Sequence, residues 1–449
     1  MAHESPGQRA VTAINPGRLL DEGRWTSYQT LLIIATALTI ILDGIDNQLL
    51  PNAIPTLIKE WAQPRPAFTT ALAIGPFGMM LGGLLGGLIG DRIGRRPALL
   101  GSVLAFGAFT AALALANSIP ALTLLRFLAG LGLGGAMPNA ATLASEYVPL
   151  RHRPMAVTLT IVSIPLGGAI AGELAALLIP TQGWRMLFAS CGAVSVLIAA
   201  VLWVLLPESP RYLARRRESW PALVRVLRRS GHHLPDDVVF TEPGIARSSR
   251  ANLTSLFTGG AARDTLAIWT AFFFGLMTNY VAVLLLPALL TSASVGFSQP
   301  TASRALAMWN YGGVVAAVLG AMAVQRIGSR VAMLSMTMVA VVCGGLLSLW
   351  PLDPARATGL LVMILLAGAG VGGVQTTMYA LAAHIYPTEI RSTGVGTAVA
   401  VGRIGNVLAA YAASTAIDRG GPSGYFLTWA LFMLLVFAAL ASIKRHIRR

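Results

Sequence analysis

The chain has 449 residues, of which 55% are hydrophobic and only 11% charged, with a formal net charge of +15. Soluble domains carry close to one quarter charged residues, so this composition excludes an ordinary soluble globular protein. The two cysteines, Cys191 and Cys343, lie in apolar runs with neither a second Cys nor a His at ligand spacing, so they read as packing residues and not as redox or metal-binding groups.

The apolar residues come in runs of about 20, roughly the length that crosses the hydrocarbon core of a bilayer. In chain order the predicted spans are 28–52, 67–89, 98–116, 121–144, 155–178, 185–206, 265–290, 302–324, 331–350, 358–383, 394–417 and 424–443. Gly and Pro inside them are compatible with membrane helices, whose neighbours satisfy freed backbone groups. The first 24 residues show no apolar h-region and no cleavage site, so no signal peptide is expected. From Pro207 the pattern breaks into PESPRYLARRRESW, and the chain stays polar and basic to Asp264, which divides the spans six and six. An even number of spans puts both termini and this central segment on one side. That side holds 25 of the 33 basic residues and the opposite side six, with Arg126 and Arg403 inside spans. The positive-inside rule makes the basic side cytoplasmic. The expected organisation is a cytoplasmic tail (1–27), a six-helix bundle (28–206), a cytoplasmic loop (207–264), a second six-helix bundle (265–443) and a short tail (444–449). The basic excess is thus a topology signal with contact to the lipid bilayer, and nucleic acid is not an expected partner.

Ionisable residues within the spans are the candidates for function, because a charge at mid-bilayer depth costs several kcal/mol. In span 1, LTIILDGIDNQLL places Asp43 and Asp46 on one helical face. Either the span ends early and Asp46 meets water, or the pair is a protonatable site. Low dielectric disfavours a charged carboxylate, and two neighbouring carboxylates titrate as a unit. Arg126 opens span 4 in RFLAGLGLGG, at the head of a small-residue seam that lets helices approach closely. It either snorkels to the interface or turns inward to pair with Asp43, Asp46 or a substrate carboxylate. Arg403 lies mid-span in span 11 with no charge within one helical turn, so it needs an anion from another helix or from a substrate. Glu173 in span 5 is open between a structural partner for Arg403 or Arg126, an extra proton site and a mark of altered substrate. His384, at the inner edge after span 10, reads as an interfacial residue before a relay, and His232 and His233 as solvated loop residues. Of the membrane aromatics Phe274, Tyr280, Trp309, Tyr311 and Tyr379, the candidates for a ring-binding wall are Tyr280, Trp309 and Tyr379.

The halves repeat one another. GDRIGRRPALL (90–100) recurs as VQRIGSRVAML (324–334), an offset of 234, and LAGLGLGG (128–135) recurs as LAGAGVGG (366–373), an offset of 238. Parallel six-span repeats are the plan of transporters that rock two halves about a midplane site. With GDRIGRRP after span 2, RFLAGLGLGG in span 4 and PESPRYL after span 6, the chain resembles the major facilitator superfamily over nearly its whole length. LDGID, RFLAGLGLGGAMPNAATLASEY, YALAAHIYPTEIRSTGVG and GRIG together resemble its aromatic acid:proton symporter family. Departures from that pattern are Ile45, Pro51, Asn52, Thr397 and Gln325.

The resemblance implies an all-α membrane fold of twelve helices in two bundles related by a pseudo-two-fold axis. It implies proton-coupled uptake of an organic acid anion such as a benzoate or hydroxybenzoate, by a monomer in the inner membrane, with no cofactor, metal or enzymatic activity. Asp43, Asp46 and Arg126 would couple protons. Arg403, with Arg126 and the aromatics Tyr280, Trp309 and Tyr379, would bind substrate. Asp91, Arg92, Arg95, Arg96 and Glu146 would gate the cytoplasmic side, Asp91 pairing across the halves or with a helix N-terminus, and Glu389 and Arg391 would be the second-half partners. The open alternatives are another carrier, for sugars or for drug–proton exchange, and a non-transporting sensor.

Overall fold

A computed structural model describes residues 13–232, 234, 238–241, 253–258, 261–387 and 390–447. Thirteen α-helices account for most of them: α1 (Pro16–Glu22), α2 (Ser27–Glu60), α3 (Thr69–Ile93), α4 (Arg95–Leu113), α5 (Ile119–Tyr147), α6 (Arg153–Leu205), α7 (Pro210–Ala214), α8 (Trp220–Arg229), α9 (Ala262–Leu290), α10 (Gln299–Ile327), α11 (Ser329–Leu349), α12 (Ala357–Ile385) and α13 (Arg391–Ser442). Ten stretches among the described residues are long and apolar enough to cross a membrane. Two of these bend sharply at one glycine each, α6 at Gly183 (φ 83°) and α13 at Gly421 (φ 57°). A positive φ is open to Gly at little steric cost, so each of these long helices turns back and crosses twice. Divided at these bends, the described residues hold twelve helices of crossing length, and large side chains such as Leu84, Leu88, Leu197, Val204 and Leu349 face outward where lipid would lie.

The crossings form two six-helix bundles with the same neighbours. In the first, α3 packs along α5, α4 along α5 and α6, and α2 along α6. In the second, α10 packs along α12, α11 along α12 and α13, and α9 along α13. Glycine sets the closest of these approaches in both. A Cβ on Gly78 would fall 2.6 Å from the Phe127 carbonyl, and one on Gly312 would collide with the Leu365 carbonyl, the counterpart pair at the repeat offsets. Backbones this close gain dispersion contacts that bulkier residues would deny them, which is how membrane helices associate without a hydrophobic drive. Between the bundles, α6 lies on α10, α3 on α13 and α2 on α9.

On the side of the termini the central segment folds into a small annex. α1, α7 and α8 bury Leu20, Leu213, Leu223, Leu227, Leu234, Val238 and Phe240 against one another. A two-residue parallel pair, β1 (Ala13–Ile14) with β2 (Val239–Phe240), adds strand structure to a chain read as purely helical. Glu208 fastens the annex to the first bundle. Its Oε1 accepts from the backbone N–H of Arg95 at 2.8 Å and of Arg96 at 3.1 Å, at the start of α4. A carboxylate there satisfies orphan N–H groups and the positive end of the helix dipole.

Candidate functional site

The site begins with how α2 survives two prolines. The helix runs through Pro51 and Pro55 to Glu60, so Asp46 is a mid-helix residue only 2% exposed and the span does not end near it. Pro51 has no N–H to give the Asn47 carbonyl, four residues back. Arg126 of α5 fills that place: its Nη2 donates to the Asn47 carbonyl at 3.2 Å. The same guanidinium donates from Nη1 to Asp46 Oδ2 at 2.8 Å and to the Asp46 carbonyl at 3.3 Å. Thr110 of α4 donates its hydroxyl to the other carboxylate oxygen of Asp46. Gly75 of α3 makes room, since a Cβ there would meet Arg126 Nε at 2.9 Å. Asp46 and Arg126 thus form a buried ion pair, with both side chains 3% exposed.

Asp43 is placed differently. Gly44 beside it lets α2 press on the α6 backbone, where a Cβ would collide with the Ile164 carbonyl. This contact directs Asp43 into a cavity of about 340 Å³ between the bundles. Asp43 is 3% exposed and its Oδ1 has no hydrogen-bond partner. Arg403 of α13 lines the same cavity, held by Gly402 and Gly405, which seat α13 on the carbonyls of Phe272 and Phe273. Among the described residues Arg403 takes part in no hydrogen bond or ion pair, and the charges it senses include the Asp43 carboxyl. A guanidinium cannot shed its proton, so this one remains a charge within the cavity. Tyr280, Trp309 and Tyr379 supply aromatic wall. Trp309 is oriented by its Nε1 donating to Asn279 Oδ1 at 3.1 Å, and Tyr379 by edge-on packing with Phe272 at 5.2 Å.

The cavity is shut on the side away from the termini. Gln48 and Asn310 exchange two amide hydrogen bonds of 2.8 Å across the bundles. Asn47 donates to the Tyr280 hydroxyl at 3.0 Å, and Gln299 to the Asn52 carbonyl at 2.7 Å. Further out, Arg65 pairs with Asp418, Thr69 meets Ser414 at 3.4 Å, and Arg304 approaches Glu173 at 3.8 Å. In the other direction the lining reaches Ala144, Ser145 and Ala156, at the terminal-side ends of α5 and α6. One gate is closed, and the cavity extends toward the other.

The model of the sugar (and other) transporter family matches residues 56–442, most of the chain. The chain belongs to that family, within the major facilitator superfamily. Among this transporter's curated relatives, the 4-hydroxybenzoate transporter PcaK of Pseudomonas putida is 34% identical, over 93% of this chain and 91% of its own. The gallate transporter of the same organism is 32% identical over 94% and 93%, and the benzoate transport protein of Acinetobacter baylyi 29% over 88% and 85%. The fold is that of the crystallised D-xylose-proton symporter, with a TM-score of 0.69 at 19% identity over 93% of this chain and 98% of that one. The protein is therefore a multi-pass membrane transporter and not an enzyme.

Of the residues singled out in this transporter's sequence, the structure brings Asp43, Arg403, Tyr280, Trp309 and Tyr379 together in one cavity, with Asp46 and Arg126 directly behind. Phe274 and Tyr311 are outside the lining. Glu173 lies at the closed gate beside Arg304, not beside Arg403 or Arg126. Asp91 pairs with Arg95 within the first bundle, and among the described residues no hydrogen bond or ion pair joins Asp91 to the second bundle. Arg95 also donates to Asn139 Oδ1 at 3.3 Å, the backbone carbonyl of Arg92 receives Tyr212, and Arg96 reaches the Trp203 carbonyl. Glu146 accepts from the Ser209 hydroxyl, within the same assembly as Glu208. Arg391 is exposed at the start of α13, its Nε donating to the Tyr386 carbonyl at 3.5 Å, and Glu389 lies outside the described residues. His384 is exposed at the end of α12, away from the cavity. His232 is half-buried, and burial lowers its affinity for a proton; His233 lies outside the described residues. The sequence reading missed the carboxamides that line the cavity: Asn47, Gln48, Asn279, Asn310, Gln375 and Asn406. Their signal was available, because a neutral amide inside an apolar span also costs free energy unless it is paired.

Proposed function

We propose that this transporter carries an aromatic carboxylate together with protons into the cell by alternating access. The observation that supports it most is Arg403, a cation that among the described residues makes no hydrogen bond or ion pair, in an aromatic-walled cavity that it shares with Asp43, whose Oδ1 has no hydrogen-bond partner there. Arg403 takes the substrate carboxylate bidentately. Tyr280, Trp309 and Tyr379 take the ring, by stacking and edge contacts. Asp43 is the carboxyl free to exchange a proton with the cavity, while Asp46 is committed to Arg126 and releases its partner only when the bundles rearrange. Relatives named for 4-hydroxybenzoate, gallate and benzoate support the substrate class.

The energetics require such coupling. Importing a monoanion against an interior-negative potential costs about 2.3 kcal/mol per 100 mV, and a co-transported proton cancels that cost. The moving bodies are residues 28–206 and 265–443, with 207–264 as the link. The 25 basic residues on the terminal side support a cytoplasmic position for it, and the transporter is read as a protein of the inner (plasma) membrane. The present conformation is then open inward. On this reading Asp91, Arg92, Arg95, Arg96 and Glu146 exchange their present partners for groups around Glu389 and Arg391 when the protein turns outward. One chain encloses the whole site, so a monomer suffices.

The test is uptake of radiolabelled 4-hydroxybenzoate into proteoliposomes under an imposed pH gradient, alkaline inside. Wild type accumulates substrate and Asp43→Asn equilibrates it without accumulation. Wild-type accumulation by Asp43→Asn removes Asp43 from the mechanism, and accumulation of no aromatic acid by wild type removes the substrate class.

A further inference from the structure

Two of the cavity's carboxamides, one from each bundle, have an oxygen that meets no donor among the described residues. Three of the cavity's six amides are occupied by one another or by Trp309. Gln48 and Asn310 satisfy one another, and Asn279 Oδ1 receives Trp309. Asn47 on α2 and Asn406 on α13 are 8% and 7% exposed, and the Oδ1 of each is buried without a donor. Such an orphan acceptor costs free energy in the empty protein and is recovered when a ligand supplies a donor. An apolar ring has none to supply, and a ring hydroxyl does.

Position makes the same point. Asn406 stands three residues after Arg403 on the same helix, so their side chains are neighbours about one benzene ring apart. A carboxylate held by Arg403 leaves a substituent on the far edge of the ring within reach of the Asn406 amide, with Asn47 of the other bundle lining the same cavity. The terminal torsion of an Asn is broad, so its amide turns to meet the donor at little cost.

We propose that Asn406, assisted by Asn47, selects aromatic acids that carry a ring hydroxyl over the unsubstituted acid. The proposal rests on the substrate class put forward under Proposed function. The phenolic O–H donates to the Asn406 carboxamide oxygen while Arg403 holds the carboxylate. Sites built to hydrogen-bond a substrate hydroxyl discriminate strongly against analogues without it, because the protein's polar group is then left unpaired.

The test measures Kd for benzoate, 4-hydroxybenzoate and 3,4-dihydroxybenzoate by calorimetry, on full-length protein in nanodiscs at one pH. Wild type is expected to bind a hydroxylated acid at least about tenfold more tightly than benzoate. In Asn406→Leu that ratio falls to near one, and Asn406→Gln retains part of it. Because the ratio is taken within each preparation, losses common to both ligands cancel. Asn47→Leu gives a second reading, and is expected to lower the ratio less. A wild-type ratio near one, or an unchanged ratio in both leucine variants, overturns the proposal while leaving aromatic acid transport standing. If none of the three acids binds wild type, the substrate class fails and this proposal fails with it.

Discussion

Asp43 and Asp46 are three residues apart on one helix and have opposite fates. Asp46 is surrounded by donors from Arg126 and Thr110, and Asp43 has none on Oδ1. Removing one member of a buried ion pair strands the other, at a cost of about 3–5 kcal/mol. Arg126→Ala is therefore expected to lower the thermal unfolding midpoint of the detergent-solubilised protein strongly. The double variant Asp46→Asn with Arg126→Gln is expected to recover part of the loss, because neither residue is then charged. An Arg126→Ala midpoint equal to that of wild type would contradict the packing described for the pair. The charged residues could be picked out from sequence because a formal charge in an apolar run has few explanations. The carboxamides could not be ranked in the same way. Asn47 and Gln48 directly follow Asp46, yet nothing local says that one meets Tyr280 and the other Asn310 across the molecule.

Helices were the most legible elements, since runs of about 20 apolar residues leave little choice in a bilayer. The largest misjudgement was the end of α2, expected at 52 and found at Glu60. Proline normally ends a helix by orphaning a carbonyl and clashing with the preceding turn, and the sequence shows no sign that a guanidinium from another helix answers the orphan. The glycine seams make a sharper prediction at this scale. Gly78→Leu in the first bundle and Gly312→Leu in the second force the same helix pair apart at equivalent places. Overpacking of this kind costs about 1–3 kcal/mol, occasionally more. Both variants should lose folded yield in fluorescence-detection size-exclusion chromatography. Wild-type yield from either would mean that the seam tolerates a wider spacing.

The two-fold repeat of the whole molecule was readable from two short echoes, but its conformation was not, because the same ionisable residues serve every state of a rocking transporter with different partners. Here the contacts across the side away from the termini are made and the cavity extends toward the termini. Thr69 and Ser414 face each other across that closed side with hydroxyls 3.4 Å apart. Thr69→Cys with Ser414→Cys should form a disulfide under mild oxidation and stop uptake, and reduction should restore it. Undiminished uptake by the cross-linked protein would mean that this contact need not open.

At the repeat offsets, Gly75 of the first bundle corresponds to Trp309 of the second, and Arg126 to Ile364. The backbones there match closely: Gly130 sits against the Gly75 carbonyl as Gly368 does against that of Trp309. A small residue on one lobe leaves space for a guanidinium; on the other lobe an indole occupies the space, and an aliphatic chain replaces the charge. One backbone arrangement thus occurs twice, with unlike tenants at the same address. The twin positions have therefore lost their interchangeability: putting the second lobe's indole and aliphatic chain into the first would leave Asp46 buried without its counter-ion.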